Sequence, residues 1–226
     1  MSVVAVVPAA GQSRRMGRPK LLLPWKGSTV VETVVHTVRQ GGVDRVLVVI
    51  GPESFPLAAR AAAAGAAILT LPASTPDMRT TVEYGLHYLR RQGWLHLPTD
   101  AWLLVPADHP TLPVAVVQLL VHRWTTEHCD DITSSPKPGP DNPWAGPCGP
   151  ILVPTWQGRR GHPLLLAANC VRPLLTLPAT CGINALLHHP AANVIELPCE
   201  KPDILTDLDT PADYARLLAS DAAASP

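Results

Sequence analysis

Short continuous apolar runs recur along the chain at Val3 to Val7, Arg45 to Ile50, Ala67 to Leu71, Ala101 to Val105 and Gly149 to Val153. Runs of this length, rich in β-branched residues and bounded by Gly, Pro or Asp, suit strands buried on both faces of a parallel sheet. Helical periodicity fills the gaps. Thr29-Val-Val-Glu32 reads as a capping box opening an apolar-striped helix that ends at Gly41-Gly42, and an alanine-rich helix runs from Leu57 to Ala64 and stops at Gly65. A third helix starts near Thr80, capped by Thr80 or Thr81, and a fourth near Leu112. The end of the chain, ILTDLDTPADYARLL, reads as a strand leading into a helix whose start is fixed by Thr210, Pro211 and Asp213. Alternation of this kind predicts an α/β fold: a single doubly wound, mostly parallel sheet flanked by helices.

Composition narrows the picture. At 226 residues, with 46% hydrophobic residues, the chain can bury one sizeable core, expected over residues 1–219 with a short disordered tail at 220–226. Charged residues make up 16% and balance to zero, which argues against general nucleic-acid binding. No apolar run is long enough to span a bilayer, and the apolar start is too short for a signal sequence, so no membrane partner and a cytoplasmic location are expected. The five cysteines are odd in number and lack C-x-x-C spacing, which predicts reduced thiols and no structural zinc. Residues 131–150 are rich in proline and glycine and read as a long loop over the active edge, either a lid or a disordered crossover.

The candidate chemistry gathers at strand ends, where open α/β sheets bind their ligands. After the first strand comes Pro-Ala-Ala-Gly-Gln-Ser-Arg-Arg-Met-Gly-Arg-Pro-Lys, residues 8 to 20. Small residues let the main chain approach a ligand, Gly11 and Gly17 can take backbone angles closed to other residues, and Arg14, Arg15, Arg18 and Lys20 favour a polyphosphate among them. The spacing fits neither a Walker loop nor a dinucleotide fingerprint. After the strand at 101–105, Pro-Ala-Asp108-His-Pro projects a carboxylate suited to a hard divalent ion. Further along, Arg159, Arg160 and His162 lie beside two glycines as a second basic, backbone-accessible site.

Ala-Ala-Gly-x-Ser-x-Arg-Met-Gly-x-x-Lys-Leu, from Ala9 to Leu21, resembles the loop of nucleotidyltransferases that attach a nucleoside monophosphate to a phosphorylated acceptor. With Gly161-His162-Pro163 and Lys-Leu-Leu-Leu-Pro-Trp at 20–25, the resemblance is strongest to the molybdenum cofactor cytidylyltransferases. It implies that Ala9, Ala10, Gly11, Ser13, Arg15, Lys20 and Thr81 bind the nucleotide, and that Gly161, His162 and Pro163 face the acceptor. It further implies that Asp108 and Asp207 hold Mg²⁺, with Asp209 or Asp203 as substitutes for the second ligand. Lys20, Arg15 and Asp108 are then expected to carry transfer of CMP from CTP to the terminal phosphate of molybdopterin, whose product an apo-molybdenum hydroxylase would receive. Ala10, where guanylyl relatives tend to have a second glycine, favours CTP over GTP. Related enzymes acting on isoprenoid or sugar phosphates share the first loop. The chain departs from the family pattern at Asp77, in the place of a glycine, and at Cys181 to Leu186, which lacks the usual acid and arginine. These departures would also suit a catalytically weak carrier of the cofactor.

Overall fold

The structure, a computed structural model, describes residues 1–97, 99–127, 148–189 and 192–224. The proline- and glycine-rich loop expected as a lid lies almost wholly outside the described residues. In chain order the elements are β1 (Val3–Ala9), β2 (Pro24–Trp25), β3 (Ser28–Thr29), α1 (Val30–Gln40), β4 (Arg45–Ile50), α2 (Phe55–Ala63), β5 (Ala67–Thr70) and α3 (Met78–Arg91). Then follow β6 (Ala101–Leu104), α4 (Val114–Glu127), β7 (Cys148–Trp156), β8 (Arg159–Arg160), β9 (Leu164–Ala167), α5 (Val171–Thr176), β10 (Ala192–Pro198) and α6 (Pro211–Ala224).

The main sheet runs β10-β7-β9-β6-β1-β4-β5, with β8 paired to β7. β1, β4, β5 and β6 pair in parallel, as do β7 and β10, while β9 runs antiparallel to both β6 and β7. The expected doubly wound, mostly parallel sheet is therefore present, with β8 and β9 running against the other strands. β1 takes β4 on one flank and β6 on the other, so the strand order reverses between β1 and β6. A crevice opens outside the carboxyl ends at such a switch point, and the two candidate loops at 8–20 and 106–110 leave these two strands.

Burial explains why these segments became strands. Val4 to Val7, Leu47 to Val49 and Ala101 to Leu103 are fully or almost fully buried, so an unbroken apolar run is the only pattern both faces tolerate. Helix α1 starts as anticipated: Thr29 Oγ1 accepts from the Glu32 backbone N–H while Glu32 accepts the Thr29 N–H at 2.9 Å. Thr210 and Asp213 make the corresponding pair at the start of α6, which continues to Ala224, past the boundary expected at 219.

Three expectations need correction. Helix α3 begins at Met78, capped by Asp77 rather than by Thr80 or Thr81; the Asp77 carboxylate accepts the Thr80 N–H at 2.7 Å. The run before α6 is a short 3-10 turn, Pro202–Leu205, followed by extended chain rather than a strand, because its backbone groups bond to loops. His162 donates its N–H to Ile204 O, and Leu208 donates to Asp108 O at 3.1 Å. Lastly, Cys148 and Cys170 form a disulfide, against the expectation of five reduced thiols. They lie 22 residues apart in sequence, and pairing of β7 with β9 brings the start of β7 beside the turn after β9. Cys181 and Cys199 are free, and Cys129 lies outside the described residues.

Candidate active site

The loop after β1 folds back on itself through a tight turn in which Met16 and Gly17 donate their N–H groups to Ser13 O at 3.0 and 3.1 Å. Gly17, at φ 68°, occupies the left-handed region that glycine enters without strain. Gly11 does not, and a Cβ there would meet only open space. Ser13 Oγ accepts the Lys20 N–H at 3.3 Å, which ties the end of the loop to its beginning.

Lys20 is the centre of the cluster. Its Nζ donates to Asp108 Oδ2 at 2.5 Å and to Asp209 Oδ1 at 2.9 Å, and Arg15 reaches the other oxygen of Asp209 at 2.9 Å. Burial alone would lower the Lys20 pKa, but the two carboxylates outweigh it and hold the ammonium above its ordinary value. A cavity of about 650 Å³ adjoins the cluster, lined by Pro8 to Arg14, Lys20, Leu21, Ser74 to Met78, Thr81 and Pro106 to Asp108. Ala9, Ala10, Gly11, Ser13, Lys20, Thr81 and Asp108 therefore share one cavity, the size of an ordinary ligand site. Arg15 stands at the cluster's exposed edge. Thr81 is buried, and its hydroxyl meets Thr75 Oγ1 at 2.6 Å and donates to Asp77 O. The Asp77 carboxyl stays below its usual range, chiefly because the Thr80 backbone N–H binds the carboxylate.

Asp207 stands apart from Lys20's direct partners. The buried His109 donates its Nε2–H to Asp207 Oδ1, and that bond is the main reason the Asp207 carboxyl lies below its ordinary range. The His162 ring packs edge-on against His109 at 5.7 Å between centroids, which places the Gly161-His162-Pro163 stretch beside this dyad. Gly161 has a packing reason of its own: a Cβ would lie 2.5 Å from Ile204 O. The sequence assigns His109 no role. Nothing within its local motif signals a partner 98 residues away.

Burial pushes the His162 pKa down to about 4, with neighbouring His109 adding to the shift and Asp207 and Asp108 opposing it. Between about pH 4 and the ordinary histidine value, the unfolded chain binds a proton that the folded chain refuses, so stability is full above that window and falls with acid. From pH 7.5 to 4.5 the wild type is expected to lose about 2 to 3 kcal/mol more stability than His162→Gln. Urea unfolding at the two pH values checks this, and equal acid sensitivity would contradict it.

Among the described residues no group of three His, Cys, Asp or Glu side chains is arranged to hold a metal by itself. The donor chemistry still fits a hard divalent ion. Asp108 and Asp209 converge on one cationic point, and an ion bound through two carboxylates completes its shell with substrate phosphates and water.

Residues 5–194 match the profile of the MobA-like NTP transferase domain. The chain belongs to this family. A nicotine blue oxidoreductase of Paenarthrobacter nicotinovorans is 29% identical over 225 residues, covering 96% of each chain. The molybdenum cofactor cytidylyltransferase of Escherichia coli strain K12 is 22% identical over 214 residues, covering 94% of each. Among solved structures, a nucleotidyl transferase from Methanothermobacter thermautotroptrophicus superposes with a TM-score of 0.73 at 21% identity, covering 97% of both chains. The manganese complex of Rv0371c from Mycobacterium tuberculosis gives 0.66 at 22% identity, covering 97% of this chain and 100% of that one. The nucleotidyltransferase fold and the family relationship expected from the first loop are thus present. No helix among the described residues is long and apolar enough to cross a membrane.

Proposed function

We propose that this MobA-like protein is a divalent-metal-dependent cytidylyltransferase, which moves CMP from CTP to the terminal phosphate of molybdopterin and releases pyrophosphate. The observation that carries the reading is the convergence of Lys20, Asp108, Asp209 and Arg15 beside the cavity lined by the 8–14 loop. Phosphoryl chemistry needs alignment and charge neutralisation more than a reactive side chain, and the cluster offers both. The backbone of Ala9 to Ser13 would cradle the triphosphate. Lys20 and Arg15 would neutralise charge building on the α-phosphate and the leaving pyrophosphate. Asp108 and Asp209 would hold the ion, Mg²⁺ by this reading, which when bound shields the phosphate oxygens. Asp209 takes the place first expected for Asp207, because Asp209 converges with Asp108 on the Lys20 ammonium whereas Asp207 turns towards His109. Gly161, His162 and Pro163 would face the acceptor, and delivery to an apo-hydroxylase in the cytoplasm would follow.

A second reading follows from the identity to nicotine blue oxidoreductase, which is higher than that to the cytidylyltransferase and spans nearly the whole of both chains. In that reading the cavity takes the partners of a redox reaction, and the carboxylates at Asp77 and Asp108 serve no triphosphate. One experiment separates the two: purified protein with Mg²⁺ or Mn²⁺ and each of the four NTPs, with and without molybdopterin, scored for pyrophosphate. Parallel samples contain NADH or NADPH with a quinoid dye and are scored for nucleotide oxidation. Pyrophosphate that depends on CTP and molybdopterin supports the proposal. Oxidation without pyrophosphate supports the second reading, and tight molybdopterin binding without either supports a carrier.

A further inference from the structure

Arg79 is a buried guanidinium in the first turn of α3, where a cation opposes the helix dipole. Local preference does not put it there. Its Nε donates to Glu83 at 2.7 Å, one terminal nitrogen donates to Pro178 O and Cys181 O at 2.5 and 2.9 Å, and the other donates to Leu174 O and Leu177 O at 3.3 and 2.7 Å. Leu174 and Leu177 stand at the C-terminal end of α5, where main-chain carbonyls run out of helical partners and favour a positive charge. A buried cation is tolerable only when its donors are met, and here the whole fork is engaged.

We infer that Arg79 is a positioning residue that locks the nucleotide side of the cavity to the acceptor side. This inference rests on the proposed transfer reaction for its kinetic consequence. Arg79 lies between Asp77 and Thr81, both of which line the cavity. The carbonyls it holds lead through Cys181 into a 3-10 helix, Ile183–His188. Within that helix Leu187 O accepts from Arg160 at 3.5 Å, next to Gly161 and His162. Arg79 thus holds the carbonyl of Cys181, two residues before that helix begins. Lysine cannot replace it, because three donors on one nitrogen do not span four carbonyls and a carboxylate.

The test uses Arg79→Lys and Glu83→Gln in the full chain. Hydrogen exchange without ligands should accelerate at residues 172–188 in Arg79→Lys and to a smaller degree in Glu83→Gln, which keeps the carbonyl bonds, while β6 stays protected. With CTP, Mg²⁺ and molybdopterin, Arg79→Lys should raise the molybdopterin KM about tenfold while the CTP KM moves less than about threefold. Unchanged exchange at 172–188 in both variants overturns the inference, and so does an equal rise in the two KM values. Should Arg79→Lys not fold, the exchange pattern of Glu83→Gln decides alone. Should the wild type release no pyrophosphate with any nucleotide, the transfer reading fails, and the exchange arm still decides the role of Arg79.

Discussion

Asp108→Ala is expected to lower metal-dependent pyrophosphate release by about 10²-fold or more, with a similar loss for Lys20→Met. Both groups act at the same place. The Asp108 carboxylate leaves β6 at the switch point and meets the Lys20 ammonium at 2.5 Å, and residues 8–14 of the β1 loop line the same cavity. Removing the carboxylate removes an oxygen donor for the ion, whereas removing the ammonium leaves Asp108 and Asp209 facing each other without their shared cation. Because the two side chains share a network, their losses should not add: the double variant should cost much less than the product of the single ones. Steady-state rates of the four proteins at saturating CTP check this. Near wild-type turnover in Asp108→Ala with Mg²⁺ would falsify the assignment, and a fully multiplicative double variant would place the two residues at separate sites.

Much of this arrangement was legible in the sequence because local rules govern it. Buried parallel strands must be unbroken apolar runs, so β1, β4 and β6 stand out, and the loops leaving β1 and β6 had to face one crevice once strands and helices alternated. The capping boxes at Thr29 and Thr210 are fixed by residues three positions apart and were readable for that reason. What escaped depends on distant partners. β9 is only four residues long and is held as a strand by β6 and β7 on both sides. Arg79, seen along the chain, is one more charge on a helix, and only α5 packing onto that turn makes it a buried clamp. The disulfide likewise follows from pairing of β7 with β9, which no cysteine spacing encodes. At Asp77 the side chain did carry its own signal, since Asp followed three residues later by a free N–H is a helix start, but the threonines after it offered a rival cap.

The remaining large effect separates two carboxylates that sit two positions apart. In regular extended chain, side chains at 207 and 209 share a face, while a residue between them points away. Here the segment from 206 to 209 is irregular and held by the bond from Leu208 N–H to Asp108 O, and the two carboxylates diverge: Asp209 to Lys20 and Arg15, Asp207 to His109. Asp209→Asn should therefore weaken the apparent affinity for Mg²⁺ or Mn²⁺ by about 10- to 100-fold and lower turnover at limiting metal. High metal should recover part of the turnover. Asp207→Asn should leave metal affinity within about threefold, because an amide can still accept the His109 N–H and the ion never depended on it. Its cost should appear in stability instead, since the Asp207 carboxyl is held below its ordinary range in the folded chain and contributes above that range. Metal titrations of pyrophosphate release, run beside urea unfolding at pH 7, distinguish the two. Should Asp207→Asn weaken metal affinity as much as Asp209→Asn, the ion is held by both carboxylates, with Asp207 ligating through the oxygen that does not accept from His109.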